Sequence, residues 1–210
     1  MKEVPFFENT PNDMRCALAV YRMMYKYFKD QDLTWGELDK MSGFKGNIAA
    51  WTVKIWVQMA ADGFDIQMVE AFDYRKFASD GDKYLRSYFD KEAYYWQIKK
   101  SNILEIQPLI PEFLKTVDQK QESPTLETLD GMLREGRLVF VTLNSRVLNS
   151  RPGYSSHSIL IYAKEGDNYL VNDPGLPGQA ERRIPYDSLY EAMGGDDNTN
   201  EMTGVKLRSK

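Results

Sequence analysis

Apolar residues recur at three- and four-residue spacing over residues 12–28, where Ala17, Val20, Met24, Tyr27 and Phe28 draw one face. That period predicts an amphipathic helix, with Asn12 or Asp13 capping its start. Lys29 to Asp32 reads as a polar loop. Thr34 and Glu37 then stand at the spacing of a capping box, so a short helix is expected over 35–41, stopping near Ser42-Gly43. Another amphipathic helix is expected over 48–61, with Ile48, Trp51, Ile55, Trp56 and Met59 inward and a stop at Asp62-Gly63. Phe64, Ile66 and Met68 alternate with Asp65 and Gln67, the pattern of a half-buried strand.

Residues 74–100 read as helical and rich in charge and tyrosine. Pro108 and Pro111 interrupt the chain ahead of another helical stretch, and 125–133 reads as a short helix ending near Gly136. Strands follow. Leu138 to Leu143 is apolar on both faces, which predicts a central strand. The run 157–163 is similar, and residues 164–168 turn it into 169–172 as a hairpin. The polar, acidic stretch 194–200 leads to an expected edge strand. There is no internal repeat. Helices come first and strands last, which predicts an α+β fold with an N-terminal helical part and a C-terminal antiparallel sheet. One domain over 1–210 is expected, with 64–135 as an insertion-like helical region.

Composition narrows the partners. Aromatics make up 13% of the chain, which favours a packed globular protein. The net charge of -4, with no basic run longer than two residues, argues against nucleic acid or an anionic membrane as partner. The longest apolar stretch, Ile48 to Ala61, is broken by Lys54 and Gln58 and is too short to span a bilayer. Met1 to Pro5 carries no apolar leader, so a cytoplasmic protein is expected. A single cysteine excludes an internal disulfide and a four-cysteine metal site, and a single histidine excludes the usual His-rich zinc sites. No metal or cofactor is expected. Nothing in the sequence sets an oligomeric state.

The two residues that occur once stand at positions suited to chemistry. Cys16 opens an amphipathic helical stretch, where unpaired N–H groups favour a thiolate. The plainer alternative is a small buried apolar side chain. His157 is the first residue of an apolar strand, reached through the small residues Gly153 to Ser156. Asp173 closes the next strand of the same hairpin, so its carboxylate can hold the imidazole tautomer; alternatively, Asp173-Pro174-Gly175 is only a turn. Thiol, imidazole and carboxylate are the parts of an activated nucleophile. Asn144, after a central strand, and Tyr154 are candidates to line the site, although Asn144 and Asn149 could equally fix a loop. Tyr94-Tyr95-Trp96 reads as packing rather than a ligand platform.

These residues carry a family resemblance. The chain resembles the bacteriocin-leader-processing peptidases and their relatives, cysteine peptidases of papain-like fold. The matching features are Val4-Pro5-Phe6-Phe7, Cys16 at a helix head, His157 at a strand start and Asp173-Pro174 sixteen residues later. Trp51-Thr52, Gly63-Phe64-Asp65, the stretch Asn144 to Asn149, Gly153-Tyr154, Ser156-His157 and Gly175-Leu176-Pro177 are also in pattern. The likeness covers most of residues 4–190. It implies a triad of Cys16, His157 and Asp173 that hydrolyses a peptide or small amide substrate through a thioester. It also implies an oxyanion-hole amide upstream of the cysteine. The family has a glutamine six residues before the cysteine, a slot held here by Thr10, so Asn9 or Asn12 becomes the candidate. Where the family has Cys-Gly-Pro-Ala, this chain has Cys16-Ala17-Leu18-Ala19. The interval from Cys16 to His157 is also far longer than in the leader peptidases. An acyltransferase or amidase with the same chemistry, and a non-catalytic binding module on the same fold, are the alternative readings.

Overall fold

The computed structural model describes residues 2–46, 48–198 and 200–209, the side chain of Asp197 excepted. The N-terminal part is helical: α1 (Cys16–Lys29), α2 (Trp35–Ser42) and α3 (Val53–Ala61) lead into β1 (Phe64–Val69). Five further helices follow, α4 (Tyr74–Asp80), α5 (Asp82–Tyr88), α6 (Lys91–Lys100), α7 (Ile103–Ile106) and α8 (Ile110–Thr116). Then come β2 (Asp118–Lys120), α9 (Leu126–Arg134), β3 (Leu138–Asn144), α10 (Ser145–Leu148), β4 (Ser156–Glu165) and β5 (Asn168–Asp173). The chain closes with β6 (Gln179–Pro185), α11 (Tyr186–Met193) and β7 (Met202–Leu207). The fold is α+β.

One seven-stranded sheet runs in the order β2-β1-β7-β3-β4-β5-β6. Every pairing is antiparallel except β1 with β2. Apolar side chains on both faces make two cores. Phe140 and Leu160 pack under α1 and α3 with Tyr21, Trp56 and Phe64. Val139, Val141, Ile159, Ile161 and Val171 pack on the other face with Leu129 of α9 and Leu189 of α11. The period-two alternation of β3 and β4 thus serves both layers, as expected for interior strands.

Several expectations hold. Thr34 caps α2 with the reciprocal Glu37 bonds of a capping box, and Gly43 ends that helix in a left-handed conformation. The β4–β5 hairpin is present. Others need correction. The first helix begins at Cys16, not at residue 12, because residues 11–13 form a turn with Asp13 at positive φ. Neither Asn12 nor Asp13 caps it; the Asn9 side-chain oxygen accepts from the Arg15 N–H instead, at 2.8 Å. The third helix starts at Val53, since Ala49 bridges to Ser101 and the Trp51 N–H is taken by Asn102. The stretch 74–100 is helical as expected, in three helices parted at Gly81 and at Phe89. Pro108 and Pro111 sit in first helical turns, where a missing N–H costs nothing, rather than interrupting the chain. Within 64–135 the strand expected at 64–68 is present as β1, and β2 joins the sheet beside it.

The largest correction concerns the last strand. β7 is not an edge but lies between β1 and β3. Gly204 makes this possible, since a Cβ there would meet Met132 and Arg137 side-chain atoms at 2.8 Å. Strand β7 also brings Glu201, just before it, opposite Glu70, just after β1, one step beyond the Val69–Met202 pair. Glu201 is buried and Glu70 half-buried. Glu201 accepts from Trp56, Thr203 and Thr52 at 2.6, 2.6 and 2.7 Å, and Glu70 accepts from Tyr74 at 2.6 Å. Burial, and the charge of Glu201, push Glu70 up to about 8, and burial raises Glu201.

Candidate active site

Cys16 is the first residue of α1, half-buried, where a helix leaves its N–H groups without an intrahelical acceptor. The helix starts here because the upstream segment is held from outside. The Asn9 side-chain oxygen takes the N–H groups of both Thr10 and Arg15, each at 2.8 Å. Arg15 is in turn fixed by two bonds of 3.0 Å to Asp39 and lies over the Phe44 ring. The Asn9 backbone N–H donates to the Pro174 carbonyl at 2.8 Å. The segment is also tied to the β5–β6 turn by Asn172, whose amide donates to the carbonyls of Val4 and Pro5, and by the Gly178 N–H on Glu8.

His157 and Asp173 stand near one end of the adjacent strands β4 and β5, both buried. The imidazole Nε2 and the Asp173 Oδ1 are 2.7 Å apart. The Cys16 thiol lies within reach of the His157 imidazole, whose hydrogen-bonding capacity and charge act on it. With Nε2 engaged by Asp173, Nδ1 is the nitrogen left for the sulfur. Ser158, the next residue of β4, also favours the thiolate. Two consecutive residues of one strand therefore act on the charge of Cys16.

The electrostatics form a chain. Burial works to raise the thiol, but the hydrogen bond and charge of His157, together with the Ser158 donors, bring it below its ordinary value. Burial works to lower His157, but the bonds and charges of Asp173 and Cys16 raise it to about 10. Burial would raise Asp173 as well; His157, the Gly175 N–H and Arg182 instead hold it below the usual carboxylate range. The charged forms, thiolate and imidazolium, are favoured together.

Arg182 was not foreseen from the sequence. Its guanidinium bonds the second oxygen of Asp173 at 2.7 Å and the Asn149 side chain at 3.0 Å. It sits on β6, a strand with little apolar pattern to betray it: of its seven residues only Ile184 is buried. Gly175 is the other unforeseen constraint. Its N–H donates to Asp173 Oδ1 at 2.9 Å, and a Cβ there would come within 3.0 Å of that same oxygen.

The remaining candidates divide. Asn9 is buried beside Pro174, with its Nδ2 donating to Asp13 at 2.7 Å and one further hydrogen to give. Asn12 is exposed, its oxygen accepting from the Thr10 hydroxyl. Asn144 caps α10 and ties the β3–β4 loop, accepting from Arg146 and Ser155 and donating to Gly153. Tyr154 is 67% exposed. Neither Asn144 nor Tyr154 borders the cavity of about 440 Å³ that opens beside His157 and Asp173. Of the aromatic trio, Tyr94 is buried while Tyr95 and Trp96 face outward. Among the described residues, no three His, Cys, Asp or Glu side chains converge as a metal site requires, and no helix is long and apolar enough to cross a membrane.

No family model matches the sequence, and no curated protein matches it. The structure is similar to the crystal structure of a "putative C39-like peptidase" from Bacillus anthracis, at 16% sequence identity and a TM-score of 0.47, over 99% of this chain and 96% of that one.

Proposed function

We propose that this chain is a cysteine hydrolase of papain-like fold that cleaves a peptide or small amide through a thioester. The observation that carries this reading is the continuous line from the helix-head thiol through His157 to an Asp173 fixed by Arg182. In this reading the Cys16 thiolate attacks the carbonyl carbon. The developing oxyanion is met by the Cys16 backbone N–H and the free hydrogen of Asn9 Nδ2. The His157 imidazolium gives its proton to the leaving nitrogen as the C–N bond breaks. Water then attacks the thioester, His157 takes a proton from it, and the thiolate is released. Asp173 keeps the imidazole oriented throughout. Asn9 is preferred to Asn12 as the oxyanion donor because it is buried against the Asp173-Pro174 turn, whereas Asn12 is bound up in an exposed one.

Thiol reactivity tests the reading. Iodoacetamide should alkylate Cys16 at pH 6 faster than it alkylates a free thiol of ordinary pKa ~8.5, and His157→Ala should remove that advantage. A wild-type rate no faster than the free thiol's, unmoved by His157→Ala, would leave a binding module in place of an enzyme.

A further inference from the structure

The cavity beside His157 is walled on one side by the loop between β3 and β4. That loop is a closed unit. The Ser145 N–H meets the Ser155 carbonyl at 2.9 Å, and the Arg151 N–H meets the Arg146 carbonyl at 2.7 Å. This second bond ties the backbones of two exposed arginines together, and both line the cavity. Three arginines and two carboxylates border it. Arg182 and Asp173 satisfy each other at 2.7 Å. Arg146 and Arg151 have no carboxylate within ion-pair distance among the described residues. The Arg146 side chain lies along Gly153, with only a long contact of 3.5 Å to the Pro152 carbonyl. The one other carboxylate on the wall, Asp13, already accepts from Asn9.

The cavity touches His157 but not Cys16. In acyl transfer the acyl carbon joins the sulfur, and the amine portion departs past the imidazole that protonates it. A cavity that borders the imidazole and not the sulfur is suited to the amine portion. A guanidinium fork without an internal partner is matched by a planar anion, above all a carboxylate. We propose that Arg146 and Arg151 form a carboxylate-binding subsite on the leaving-group side of His157, so that preferred substrates are amides whose amine portion carries a carboxylate. The inference rests on the acyl-transfer reading above. The carboxylate is either the free C-terminus of a peptide, cleaved close to its end, or an Asp or Glu side chain within that portion.

Peptides of one sequence distinguish these. They are prepared with a C-terminal carboxylate or carboxamide and, in the amidated set, with an internal Asp or Asn after each candidate bond. Each is offered to the wild-type chain and to an R146Q/R151Q double variant, both positions being on the exposed loop surface. Cys16 alkylation by iodoacetamide is read in parallel. The expected result is a preference in kcat/KM of roughly tenfold or more for one carboxylate form, lost in the double variant while alkylation stays fast. A preference for the free C-terminus marks cleavage near a chain end; a preference for internal Asp marks the side chain. Equal turnover of acid and amide forms, or a preference that survives in the double variant, overturns the subsite. Fast alkylation with no turnover of any peptide also overturns it as a peptide subsite. Slow alkylation with no turnover overturns the acyl-transfer reading beneath it.

Discussion

Asp173 is met by an imidazolium, a guanidinium and a backbone N–H, whereas Glu70 and Glu201 face each other across β1 and β7 with only neutral donors around them. Burial alone would raise all three. At Asp173 the cations reverse that effect; at Glu70 the charge of Glu201 adds to it. The same desolvation thus yields a permanent anion in one place and a proton-holding pair in the other. The difference lies in which charges the sheet delivers: β6 brings Arg182 to Asp173, and β7 brings a second acid to Glu70. The first arrangement holds an imidazole charged beside a thiol, and the second makes folding depend on protons.

The contrast should break most sharply at Asp173→Asn. Shape is nearly kept, but the imidazole loses the charge that fixes its tautomer, and turnover should fall on the order of 10³–10⁴-fold. Melting measured on the same protein should show a loss of only about 2 kcal/mol, as for a hydrogen bond to a charged group. A variant that loses activity only in step with its folded fraction would reduce Asp173 to a structural residue.

At the glutamate pair the effect is on stability, and its sign is opposite to that at Asp173. A carboxyl held low in the fold adds stability above its unfolded value, and that contribution is lost as pH falls through the folded value. Glu70 is raised, to about 8, so from its unfolded value of about 4.3 upward the unfolded chain releases its proton first and stability declines towards pH 8. Glu70→Gln should remove that decline and add a few kcal/mol at pH 8–9, with little change at pH 4. Denaturant titrations at three pH values check this; parallel wild-type and variant curves would show that the pair does not share a proton.

Arg182→Gln should have the smallest effect. It frees one oxygen of Asp173 while leaving His157 on the other, so a drop of roughly tenfold is expected, in kcat more than in KM. Asp173 should also protonate at higher pH, moving the acid limb of the activity profile upward. An unchanged profile would mean that Arg182 merely fills the β6 face.

Much of this was legible in the sequence, for particular reasons. Thr34 and Glu37 announce α2 because a capping box is local chemistry, complete within four residues. β3 and β4 are legible because burial on both faces leaves an apolar run. The geometric partners of Cys16 could be named because cysteine and histidine each occur once. What escaped depends on long-range contacts. β7 looks like an edge because Thr203, Gly204 and Lys206 interrupt it, yet Thr203 is fully buried as a donor to Glu201 and Gly204 is a packing need. Arg182 carries no local signal of any kind. The start of α1 was misplaced because its first turn is organised by Asn9, six residues before Arg15, rather than by the residue next to the helix.

The strap between the N-terminal segment and the β5–β6 turn has a consequence in time. Asn172 bonds the carbonyl of Val4 across 168 residues, and Gly178 bonds Glu8 across 170. Contacts of such sequence separation close late, after the loop entropy between them has been met. A chain emerging from the ribosome carries Cys16 for most of its synthesis with neither His157 nor Asp173 beside it. During that interval the sulfur is an ordinary thiol, mostly protonated and slow to react. The surroundings that favour its thiolate arrive only once His157 and Asp173 have been made and docked, so the order of assembly itself delays that form.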